Sequence, residues 1–212
     1  MERLTSNDTA ATALSRWVRE PMKYLATVAL ILNLGVAPAY AQDESVKMDY
    51  SGTSTAASAV NLQQPGTVTV EENFEGNGAL GPFTVRIISA ETNSPQEPPS
   101  TCSGPANIYL TRGAGAGVFR FQDGSLLKVN VTQGADCIDF AGQQGPQGHC
   151  TVTFQIAGGT GRFKNASGTL TFTETTVPVL ADASNHPVFF AATGQFTGTV
   201  SGVQIGDEQN GQ

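Results

Sequence analysis

The side chains able to do chemistry in this chain are few. There are three cysteines, Cys102, Cys137 and Cys150, and two histidines, His149 and His186. Cys137 and Cys150 bracket a stretch whose ends could meet as the rims of adjacent strands, and a disulfide between them is the expected pairing. The alternative is a bridge from Cys102 to one of the two. A metal site built from Cys137, His149 and Cys150 is disfavoured, because neighbours such as His149 and Cys150 leave a strand on opposite faces. Both histidines lie in turn-like settings and read as surface residues. No Gly-x-Ser-x-Gly, His-Glu-x-x-His or calcium-loop pattern occurs, so the common hydrolase and metalloprotease signatures are missing. Gly76-Asn-Gly78-Ala-Leu-Gly81 matches Gly-x-Gly-x-x-Gly only formally, since Pro82 and a strand follow where a dinucleotide site needs a helix.

Glu72 is the candidate ligand-binding residue. Counting by twos from Val68 and Val70 puts it on the apolar face of its segment, just before Phe74. A carboxyl inside a barrel would be desolvated, with a raised pKa, and could serve as a polar anchor or an acid. The competing reading places Glu71 and Glu72 at a bulge or at the barrel mouth, in reach of water. Arg86, Arg112, Arg120 and Arg162 fall mostly on polar faces or at turns and read as solvated surface.

The elements that must position these groups are strands. After residue 41 threonine occurs 20 times and leucine 7 times, a balance that favours β-structure. Apolar residues alternate with polar ones in 67–74, 83–88, 126–132, 150–156 and 169–175, so each segment hides one face and wets the other. The expected fold class is all-β: an eight-stranded antiparallel β-barrel, or alternatively a two-sheet antiparallel sandwich. Asp123-Gly124 signals a two-residue type I′ hairpin, and 113–117, with three glycines, reads as a hairpin tip. Residues 90–105 and 133–149 read as long loops.

The chain divides into a leader at 1–41, a weakly structured segment at 42–66, the barrel at 67–205 and a disordered tail at 206–212. The leader has the parts of a secretory signal peptide. Met22-Lys23-Tyr24 begins it, an apolar run covers 25–36, and Ala39-Tyr40-Ala41 ends it at a cleavage site after Ala41. Either Met1 or Met22 could serve as the start. The mature chain would then be exported, to the periplasm or the medium of a bacterium. It holds 7 Lys and Arg against 15 Asp and Glu. That deficit of cations argues against nucleic-acid partners, and no apolar run near 20 residues remains to span a membrane after processing.

A short repeat, Thr160-Gly-Arg-Phe163 and Thr193-Gly-Gln-Phe196, reads as two glycine corners, each followed by a phenylalanine that plugs the core. Gly158-Gly-Thr-Gly-Arg-Phe163 with Ala166-Ser-Gly168 resembles a segment of plant dirigent proteins and of the related allene oxide cyclase barrel. It also resembles uncharacterised exported bacterial proteins. The resemblance is specific over about 158–202 and implies an eight-stranded antiparallel barrel. It carries over no catalytic residue, because the shared segment is a structural corner. The function read from the sequence is a non-enzymatic binding module for a small apolar ligand or an envelope partner, with no cofactor. The alternatives are a dirigent- or cyclase-like enzyme, or stereochemical guide, using an inward carboxylate, and a structural surface protein. A cavity of several hundred Å³ with two or more inward ionisable groups would favour the enzyme.

Overall fold

The computed structural model describes residues 43–56, 58–96, 107–140 and 145–204. The leader at 1–41 and the tail at 206–212 therefore lie outside the described residues. Eight strands close into one antiparallel barrel in sequence order: β1 (Glu44–Thr55), β2 (Thr67–Gly78), β3 (Phe83–Thr92), β4 (Asn107–Phe121), β5 (Leu126–Asp139), β6 (Gln147–Gly159), β7 (Ser167–Ala181) and β8 (Pro187–Ser201). Each strand pairs with its neighbour, and β1 with β8, which leaves no sheet edge free. The barrel, rather than the sandwich, is the fold.

Three expectations about segments are corrected. The stretch 42–66 is not weakly structured throughout, since β1 fills nearly half of it and buries Val46, Met48 and Tyr50. Residues 113–117 are no hairpin tip but the middle of β4. A Cβ on Gly117 would press into the Ile87 side chain, so the small residue lets the neighbouring strand reach inward. The loop expected at 133–149 is mostly strand. Its inward positions begin with Gly134 and Asp136, and only Ile138 after them is a large hydrophobe, so no sustained apolar alternation marks it.

The turn after β4 is also not type I′. Gly124 alone has a positive φ, its N–H bonds the Phe121 carbonyl, and Phe121 N–H bonds Ser125 carbonyl. That is a type I turn closed by a glycine bulge.

Half of the interior is aromatic. Phe119, Phe154, Phe163, Phe172 and Phe196 are fully buried, with Tyr50, Phe74, Phe83 and Phe121 around them. Phe196 sits at the centre, with ring centroids 5.0 Å from Tyr50, 4.9 Å from Phe119 and 5.2 Å from Phe172. Tilted and edge-on pairs of this kind are the favoured aromatic geometries. Both repeat phenylalanines plug the core as expected, but only the first repeat is a corner. Gly161–Phe163 forms a single 3-10 turn, whereas Thr193 to Phe196 runs within β8.

The corner seals one end of the barrel. Phe163 enters from the turn, and the Arg162 guanidinium lies over the Phe121 and Phe163 rings at 4.9 and 4.6 Å. Arg162 also donates to the Leu80 carbonyl on the facing turn. Contrary to the solvated reading, this arginine is a half-buried closure of the core, through cation–π contact and a long-range hydrogen bond.

Candidate functional site

Toward the other end the inward residues change from aromatic to charged. Ser54, Glu72, Glu91, Arg112, Asp136, Cys150 and Glu174 come one each from β1 to β7 and form a polar layer across the barrel. The ladder sets them side by side: Ser54 opposite Glu72, Glu91 opposite Arg112, and Cys150 opposite both Asp136 and Glu174. A register shift in the β3–β4 ladder between Ser89 and Glu91, where β4 carries the extra residue, lets Arg112 face inward, and another in the β5–β6 ladder between Val131 and Gln133 does the same for Asp136.

Arg112 is the hub, and its reading as a surface residue is overturned: it is 5% exposed. Nη1 donates to Glu72, Nε to Glu91 at 3.2 Å and to Asp136 at 3.0 Å, and Nη2 to Asp136 at 2.8 Å. Burial alone would lower its pKa, but Asp136, Cys150, Glu72 and Glu91 raise it well above the usual value, so the guanidinium stays charged.

The four carboxyls around this one cation are driven apart. Burial pushes Asp136 up, yet Arg112 and hydrogen bonds from Glu91 and Cys150 outweigh it and hold the carboxyl below the ordinary aspartate value. Glu91 goes the other way, well above the usual range, through burial first and then its hydrogen bond to Asp136. Asp136 is thus the partner that gives up its proton more readily and Glu91 the one that holds it longer. Burial likewise raises Glu72, against the pull of Arg112. Glu174 is raised well above its usual value by burial and by the charge of Glu72, and neither of its oxygens has a hydrogen-bond partner.

Glu72 is inward and 1% exposed, as its alternation predicts, and not at a water-filled mouth. It supports Arg112 from below and does not line the pocket described next. Sequence reasoning missed Arg112, Glu91, Asp136 and Glu174.

The expected Cys137–Cys150 disulfide does not form. Cys150 is a buried free thiol. It stands opposite Asp136 in the β5–β6 ladder while Cys137 stands opposite His149. The two side chains therefore leave opposite faces of the sheet, which a disulfide cannot bridge. The Cys137 sulfur is bonded elsewhere, and Cys102, the alternative partner, lies outside the described residues. Burial pushes the Cys150 thiol well up, so it is a proton donor to Asp136 rather than a nucleophile. His149 and His186 are exposed.

Above the charged layer the barrel opens into a pocket of about 480 Å³. Its walls are mainly apolar, with Val68, Val70, Ile108, Leu110, Ile138 and Phe190 among them, and Glu91, Arg112 and Asp136 make its floor. This is the usual make-up of a small-molecule site: an apolar chamber with a few converging polar groups.

The raised carboxyls have a thermodynamic consequence. Between the ordinary glutamate pKa of about 4.3 and their raised folded values, Glu72, Glu91 and Glu174 bind more protons folded than unfolded. Their contribution is full below that window and is lost as pH rises through it, so the barrel is expected to lose stability as pH rises above the ordinary glutamate range. Glu174→Leu removes the unpartnered acid without opening a void. It should stabilise by about 1–3 kcal/mol and flatten the pH dependence. Urea midpoints at pH 5 and pH 8 check both, and a midpoint that falls at pH 8 would contradict them.

No protein-family model, curated protein or solved structure matches this chain.

Proposed function

We propose that the barrel binds a small, largely apolar molecule in the pocket above the charged layer, with the polar end of that molecule on the floor. The observation that carries this reading is the chamber of about 480 Å³ walled by Val68, Val70, Ile108, Leu110 and Phe190 over Glu91, Arg112 and Asp136. One end of the barrel is filled by aromatic rings and the other is not, an asymmetry that packing alone does not require. The aromatic half gives rigidity, and the open half offers apolar surface whose removal from water drives association. A leader at 1–41 would deliver this binding module outside the cytoplasm, to the periplasm or the medium.

A neutral environment-sensitive probe, N-phenyl-1-naphthylamine, tests it. Its emission should rise on addition of the protein, with a micromolar dissociation constant. Leu110→Trp, which fills the chamber, should weaken binding at least tenfold while the melting temperature stays within a few degrees. Absence of enhancement, or equal binding by Leu110→Trp, would overturn the reading.

A second reading meets the condition set above for an enzyme, a chamber of several hundred Å³ with two or more inward ionisable groups, and is favoured by the Glu91–Asp136 pair. A carboxylic acid and a carboxylate side by side beneath an apolar chamber are the parts of a general acid–base site. A bound carbonyl or activated alkene could accept the Glu91 proton, with Arg112 steadying the charge left behind. That chemistry suits a cofactor-free cyclisation or isomerisation. It agrees with the resemblance of residues 158–202 to dirigent and cyclase barrels.

A further inference from the structure

An arginine at the base of an apolar chamber ordinarily reads as a receptor for a carboxylate, because its planar fork matches that group. Here the fork is already engaged by the barrel itself. Each of the three guanidinium nitrogens of Arg112 already donates to a carboxyl of the barrel itself, Nη1 to Glu72, Nε to Glu91 and Asp136, and Nη2 to Asp136. The charge is oversubscribed as well. One cation faces Glu72, Glu91 and Asp136 directly, and Glu174 lies beneath them, 4% exposed with neither oxygen hydrogen-bonded.

We propose that the pocket selects apolar molecules with an amine head and rejects carboxylates of the same length. The inference rests on the small-molecule reading of this pocket and sharpens it to a ligand class. An incoming carboxylate would meet the Glu91 and Asp136 oxygens beside a guanidinium whose three nitrogens already serve the barrel's own carboxyls, and would lose much of its hydration without matching compensation. An ammonium reverses each term. It brings donors to a floor rich in acceptors, and a positive charge that favours ionisation of the raised carboxyls of Glu72, Glu91 and Glu174. The groups facing the head are Glu91, Asp136 and Arg112, with Glu72 and Glu174 below and His186 at the exposed outer rim. The apolar walls of Val70, Ile108, Leu110 and Phe190 screen this attraction far less than water would. An alcohol, uncharged, should fall between the two.

Three ten-carbon probes differing only in the head make the test: decylamine, decanol and decanoate. Each is titrated at pH 7.5 against the naphthylamine probe bound to the wild-type protein. Decylamine is expected to displace the probe at a concentration at least tenfold lower than decanoate does, with decanol between. Glu91→Gln, which keeps the shape and removes one acid, should shrink the gap between amine and carboxylate. Decanoate equal to or better than decylamine, with decanol still competing, would overturn the charge selection and leave the pocket standing. Failure of all three to displace the probe, together with probe binding unaffected by Leu110→Trp, would overturn the selection along with the pocket itself.

Discussion

Arg112→Met is expected to cost the barrel about 3–5 kcal/mol at pH 7, because it leaves buried carboxyls with no cation among them. For a domain of this size that is a fall in melting temperature of roughly 10 °C or more. The loss should be strongly pH-dependent. Toward pH 5 the carboxyls of Glu72, Glu91 and Glu174, raised by burial, take up protons before an ordinary acid would and need a cation less, so the loss falls mainly on Asp136, the acid held low by Arg112. Thermal melts of wild type and variant at pH 5 and pH 7 give the difference. A variant that melts within two or three degrees of wild type at pH 7 would show that the guanidinium does not hold this layer together.

Phe196→Ala should be equally damaging for an unrelated reason. Phe196 has no exposed surface and touches Tyr50, Phe83, Phe119, Phe154 and Phe172. Truncation removes its burial energy and leaves a cavity among rings locked by one another. Losses of about 3–5 kcal/mol are typical for such sites. A void has no titrating group, so this loss should be the same at pH 5 and pH 7. Paired denaturation curves of the two variants separate the contributions of the aromatic half and the charged layer. A Phe196→Ala penalty that halves on acidification would mean that the two halves are not independent.

Much of the barrel was legible because strand periodicity is a strong local signal. Val129 and the run Cys150, Val152, Phe154, Ile156 sit inward as alternation requires. The charged layer was legible only in part. Counting by twos reaches Arg112 from Ile108 and Leu110, Glu91 from Phe83, Val85 and Ile87, and Glu174 from Leu170 and Phe172. The period was there to follow, but a charged residue at the end of an apolar series looks like the point where the series stops. Asp136 was beyond reach by counting. The register shift between Val131 and Gln133 changes the parity of β5, so alternation from Leu127 points to the wrong residues. The same parity change defeats the disulfide inference, which judged Cys137 and Cys150 by spacing and not by face.

The layer drawn one residue per strand from β1 to β7 also guards the barrel against its own mistakes. A meander of threonine-faced strands has many near-equivalent ways to pair, since sliding by one residue still offers hydrogen bonds at every step. Such a slip in β4 alone would turn Arg112 out to solvent and bring Thr111 or Gly113 in its place. The remaining strands would then enclose acids with nothing to neutralise them. Mispaired barrels are thereby penalised by electrostatics rather than by shape, and only the correct alignment of seven strands escapes the penalty.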